Sequence, residues 1–127
     1  MTTTAQTGRQ TALDTAIAYY HAWAGGDFER AMDYIDPGIV CDAPAGPVRG
    51  AEAFRAFMGP FAAMAQSSRL LAAYGDHEHA VLVYDTATPL VSSAPGAELH
   101  TVAGGRIVAM RLVFDRLPFE QARRGGS

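Results

Sequence analysis

Glu98 and His100 stand two apart in the run ELHTVAGG, so in an extended chain their side chains share a face. A carboxyl beside an imidazole makes either a proton relay or an exposed cross-strand pair, and the exposed pair is the default expectation. Asp85, in AVLVYDTATPL, continues the row of Val81 and Val83. It is a pocket acid that needs a partner or a residue at the strand end near Pro89, and the strand-end reading is preferred. His77-Glu78-His79 has metal-ligand types, yet its side chains diverge in a strand-turn setting and Gly75-Asp76 marks a turn, so no metal site is expected. Asp42 opens a Pro/Gly-rich stretch where Asp commonly forms turns, and Tyr19 by spacing alone is a core tyrosine. An enolisation, by comparison, needs a base near an acidic C–H and a donor to the oxygen where charge develops, both in a dry site.

The apolar residues offer such a site a wall. Phe54, Phe57, Met58, Phe61 and Met64 recur at helical spacing and are first of all core, although Met and aromatics turned to a cavity suit a flat hydrophobic ligand. Trp23 joins them from an earlier helix. From Arg106 onward, strand alternation puts Val108, Met110, Leu112 and Phe114 on one wholly apolar face, and Ile107, Ala109, Arg111, Val113 and Asp115 on the other. A small hydrophobic ligand is the partner expected if these residues face a cavity. No phosphate loop, nucleotide fingerprint or nucleophile-base motif appears, so no cofactor is expected.

The elements that must hold these residues follow from periodicity and punctuation. Residues 10–24 read as a helix ended by Gly25-Gly26, and Asp27 caps a second helix that runs to Ile35 and stops at Asp36-Pro37-Gly38. Residues 39–41 read as a short strand and 42–50 as an irregular, stiff loop. Residues 51–64 are helical again, with Gly59-Pro60 expected to kink or split the helix. Strands follow at 67–74, 80–89 and 98–115, the last turning back at Gly104-Gly105, with Ala94-Pro95-Gly96 as a break between strands. The fold class expected is α+β, with three N-terminal helices on one face of a curved antiparallel sheet. Residues 1–8 are expected to be a flexible arm, 9–120 a single domain and 121–127 a flexible tail.

Composition narrows the classes. A chain of 127 residues is one domain of ordinary size, and its 10 basic residues, all arginine, against 13 acidic ones leave no basic patch for nucleic acid. One cysteine, Cys41, makes no intramolecular disulfide and fits a reducing compartment. The N-terminal stretch has no signal-peptide pattern and no run approaches a membrane span, so a cytoplasmic protein without a membrane partner is expected.

The pieces YYHAWAGGDFERAMDYI, VCDAPAGPVRGAEAFRAFM and GGRIVAMRLVFDRLPF resemble the SnoaL-like and ketosteroid-isomerase-like branch of the nuclear transport factor 2-like superfamily. The resemblance implies a conical fold around an apolar pocket, a homodimer through the outer sheet face, and a cofactor-independent isomerase, cyclase or dehydratase acting on a hydrophobic carbonyl compound. The alternative in that superfamily is a non-catalytic ligand-binding or dimeric accessory module. By the same resemblance Asp42 falls at the proton-shuttling acid and Tyr19 at the donor to the substrate oxygen. The second oxyanion donor lands on Glu98 with a one-residue gap before Gly105 and on Ala97 without it. The epoxide hydrolases of the fold match only at Asp85, since Val83 and Leu112 stand where they keep charged residues. The polyketide cyclases' late acid and histidine correspond loosely to Asp115 and His100. Trp23, Phe57, Met58, Phe61, Val83, Asp85, His100, Met110, Leu112 and Phe114 are the expected substrate-binding set.

Overall fold

Helix α1 (Ala12–Ala24) starts at a capping box, in which the Thr11 hydroxyl accepts from the Asp14 N–H at 3.1 Å and the Asp14 carboxylate accepts from the Thr11 N–H. The computed structural model describes residues 11–125, so the expected arm over residues 1–8 lies outside the described residues. Thr15, Tyr19 and Trp23, spaced by four, form one fully buried stripe of α1. Asp27 caps α2 (Phe28–Met32), accepting from the Arg30 N–H. This helix stops short of the expected Ile35, because Tyr34 and Ile35 are drawn into the sheet: the Ile107 N–H donates to the Tyr34 carbonyl at 2.7 Å and Ile35 pairs with Ile107.

Two further expectations fail in the stretch that follows. Strand β1 (Ile35–Ala43) is nine residues long and absorbs Asp36-Pro37-Gly38 as an irregularity between Ile35 and Val40. The loop expected over 42–50 is a hairpin to β2 (Gly46–Arg49), with Ala43 opposite Gly46. Helix α3 (Ala51–Met64) is not split at Gly59-Pro60, and Pro60 is on its exposed side.

Strands β3 (Ser67–Gly75), β4 (His79–Ala87), β5 (Ala94–Ala103) and β6 (Arg106–Phe114) make an antiparallel meander, and β1 joins its end parallel to β6. The strand order is β2-β1-β6-β5-β4-β3. Ala94-Pro95-Gly96 belongs to β5 rather than to a break; the turn is made earlier, where the Thr88 hydroxyl accepts from the N–H groups of Leu90 and Val91. Register shifts in β1, β3 and at Thr101/Val102 bend the sheet around the helices. The last shift moves Val108 off the inner face and puts Ile107 there, so the inner row of β6 is Ile107, Met110 and Leu112 with Phe114 half-buried at its end.

The chain then closes the open end of the cone. Asp115 accepts from the Leu117 N–H at 3.0 Å and starts α4 (Leu117–Gly125), whose Phe119 is buried against Phe114 at a ring separation of 6.1 Å. Residues 121–125, expected to be flexible tail, are therefore helical. The architecture is an unclosed, curved α+β cone. Among the described residues no helix is long and apolar enough to cross a membrane.

Candidate active site

Strand β4 presents Ala80, Leu82, Tyr84 and Thr86 inward, and β5 presents Glu98 and His100 beside them. Glu98 is 1% exposed and His100 0%, so the pair expected at the surface is enclosed. A carboxyl in such a place requires partners. The Tyr84 hydroxyl donates to Glu98 Oε2, and His100 Nε2 lies 2.7 Å from Glu98 Oε1. The Tyr19 ring meets the His100 ring edge-on at 5.6 Å, with its own hydroxyl unpartnered, as is His100 Nδ1. Burial first and the Glu98 carboxylate second push the phenols of Tyr84 and Tyr19 well above their usual range. Both remain neutral hydrogen-bond donors at physiological pH.

Tyr84 is also the link to open space. Its ring is clamped by Trp23 at 5.4 Å and Tyr20 at 5.5 Å, and Gly96 across the ladder leaves it room, since a Cβ there would sit 3.3 Å from the ring. The ring then forms part of a cavity of about 240 Å³. Phe57, Met58, Phe61 and Met64 of α3 line one side and Leu112 and Phe114 of β6 another. Phe119, Glu120 and Arg123 of α4, with Arg116 before it, complete the wall. The apolar lining suits a flat hydrophobic compound, and the Tyr84–Glu98–His100 chain gives its inner end one polar anchor.

The expected residues divide sharply by sheet face. Tyr19, Glu98 and His100 converge inside, and Phe57, Met58, Phe61, Leu112 and Phe114 line the cavity. Trp23 and Met110 are core residues behind it. Asp42 is not in the site: its side chain is 48% exposed and pairs with Arg111 at 3.2 Å on the outer face. Its neighbour Cys41 takes the inward position opposite Met110, and because strand neighbours point oppositely, an alignment one residue off exchanges a pocket acid for a surface one. Burial and the nearby carboxylates push the Cys41 thiol up to about 12. Val83 and Asp85 also face outward, where Asp85 accepts from the Ser93 hydroxyl at 2.9 Å, so neither binds a ligand in the cavity. Asp115 is spent on accepting from the Leu117 N–H just before α4. Ala97, the other position for the third acid, pairs with Val83 and Val113 on the outer face.

Sequence reasoning missed Tyr84 and the α4 residues. Tyr84 belongs to the second alternating row of the same strand as Asp85, and the signal for α4 was Asp115 followed by Pro118 in a first helical turn and Arg123-Arg124 in the last. Among the described residues no cluster of His, Cys, Asp and Glu could hold a metal ion.

The geometry has close counterparts. A crystal structure of a protein from Kribbella flavida DSM 17836 is 54% identical, covers 91% of this chain and 96% of its own, and superposes with a TM-score of 0.89. A nuclear transport factor 2-like protein of unknown function from Cytophaga hutchinsonii ATCC 33406 is 18% identical over 87% of this chain and 96% of its own, with a TM-score of 0.71. A SnoaL-like polyketide cyclase candidate from Jannaschia sp. CCS1 is 17% identical over 87% and 89% of the two chains, with a TM-score of 0.68. At those last two identities the likeness is one of fold. No curated protein matches the chain. The sequence pattern of the SnoaL-like domain matches residues 16–110, which hold the buried Tyr84, Glu98 and His100 and all of the sheet but part of its last strand. The chain therefore belongs to the SnoaL-like domain family.

Proposed function

We propose that the protein binds a small hydrophobic carbonyl compound in the cavity and catalyses proton transfer on it, as an isomerase, cyclase or dehydratase without a cofactor. The observation that carries this reading is that Tyr84 both lines the cavity and is hydrogen-bonded to the buried Glu98. When Glu98 carries a proton on Oε2, the bond between the two runs in the opposite sense and the phenolic proton is free for a ligand oxygen. A donor held in a dry wall stabilises the enolate oxygen more than water does, because no solvent must reorganise as the charge develops. His100 at Oε1 and Tyr19 against its ring hold the Glu98 carboxyl in place.

The test needs no knowledge of the natural substrate. Exchange of the α-protons of 2-tetralone in deuterated buffer, followed by proton NMR, should run above the buffer rate and fall about a hundredfold in Tyr84→Phe. Exchange at the buffer rate while 2-tetralone still perturbs the fluorescence of Trp23 would overturn catalysis. That outcome favours the second reading, a ligand-binding module, whose supporting observation is that Glu98 reaches the cavity only through Tyr84.

A homodimer through the outer sheet face is part of the same reading. Val81, Leu99 and Val113 are 39%, 41% and 58% exposed on adjacent strands, an apolar patch of the kind that marks an interface. Sedimentation should show a dimer that Val113→Asp dissociates, and a monomeric parent protein would remove this element.

A further inference from the structure

The geometry points to Glu120 as the general base of the cavity, an assignment that rests on the proton-transfer reading above. A donor at the carbonyl oxygen does not by itself break a C–H bond; a proton acceptor must reach the α-carbon from within the same cavity. The apolar lining residues and Gly96 carry no such group. Tyr84, its phenol pushed up by burial, is a donor and not a base at neutral pH. The Arg116 and Arg123 guanidiniums offer donors and no acceptor. Among the described residues, Glu120 is the one carboxylate in the lining.

Its placement suits the task. Asp115 starts α4, the Glu120 N–H donates to the Arg116 carbonyl at 3.1 Å, and buried Phe119 anchors the same turn. Glu120 is thereby held half-buried in the α4 wall, whereas Tyr84 comes from β4. Tyr84 and Glu120 thus reach the one cavity from different elements. Glu120 takes the α-proton, the C–H pair becomes the C=C bond of the enolate, and the carbonyl π pair moves to the oxygen that accepts from Tyr84. Return of the proton to the original or a conjugated carbon gives back the ketone or its isomer and restores the carboxylate, with no oxidant or reductant consumed. Glu120 lies outside residues 16–110 that match the family pattern, so this base would be supplied by the chain's own C-terminal helix.

The experiment is the 2-tetralone exchange assay run in parallel with titration of Trp23 fluorescence. Glu120→Gln is expected to lower exchange at least a hundredfold while the affinity for 2-tetralone changes less than about twofold. Glu120→Asp should keep part of the rate, and added formate should restore exchange to Glu120→Ala, an effect that a merely structural side chain does not give. Exchange in Glu120→Gln at the parental rate would overturn the assignment and leave the proton-transfer reading standing. Absence of exchange in the parental protein would overturn both. Loss of 2-tetralone binding in Glu120→Gln and Glu120→Asp alike would also overturn it, by making the residue part of the wall and not of the chemistry.

Discussion

Glu98 and Asp42 are both carboxylates on strands of one sheet, yet one is sealed and the other half in water. Glu98 accepts from Tyr84 and meets His100 on the concave face, whereas Asp42 meets Arg111 on the convex one. A carboxyl held in the interior has close partners because it could not otherwise be there, and removing it strands those partners. An exposed ion pair is screened by solvent and contributes little. The same residue type thus has a structural and chemical role on one face and almost none on the other.

The largest expected effect is on the inner face. Glu98→Ala leaves the Tyr84 hydroxyl and His100 Nε2 without partners and opens a void, and should cost about 3–5 kcal/mol in urea denaturation. A loss no larger than that of an outer-face variant would erase the contrast. Alkaline pH tests the same face. The raised phenols of Tyr84 and Tyr19 keep their protons in the folded chain where the unfolded chain loses them at about pH 10. Above that pH the unfolded state binds fewer protons, so stability, complete below it, falls as pH rises. Tyr19→Phe should flatten the fall, and an unchanged slope would remove Tyr19 from the account.

Gly96→Ala is a smaller perturbation in the same wall. The new methyl would press on the Tyr84 ring, costing about 1–2 kcal/mol and lowering 2-tetralone exchange if the phenol moves. Smallest of all, Asp42→Asn should change stability by less than about 1 kcal/mol and leave exchange untouched. Loss of exchange in that variant would return Asp42 to the site.

Much of the cone was legible beforehand because it depends on local rules. The alternation in β4 and β6, the Gly104-Gly105 turn and the Gly25-Gly26 stop after residues 10–24 each declare an element from a short window. The errors came where pairing overrides local preference. Asp36-Pro37-Gly38 reads as a helix stop ahead of a short strand at 39–41, but the chain next to β6 gains ladder hydrogen bonds by running as β1 from Ile35 through an irregularity. Pro95-Gly96 reads as a turn, but β4 and β6 on either side take it into β5, where the missing Cβ makes space for Tyr84.

From residue types and their alternation alone came the two rows of each strand, the apolar helix faces and the pairing of Glu98 with His100 on one side. Tertiary structure alone decided which row turned inward. A strand's two faces carry the same local signal, and only packing against α1 and α3 gives one of them a core. That decision put Tyr84 in the wall instead of Asp85 and Cys41 beside Glu98 instead of Asp42. It also folded residues 117–125 over the open end, bringing Glu120 to the cavity across a distance in sequence that no window could span.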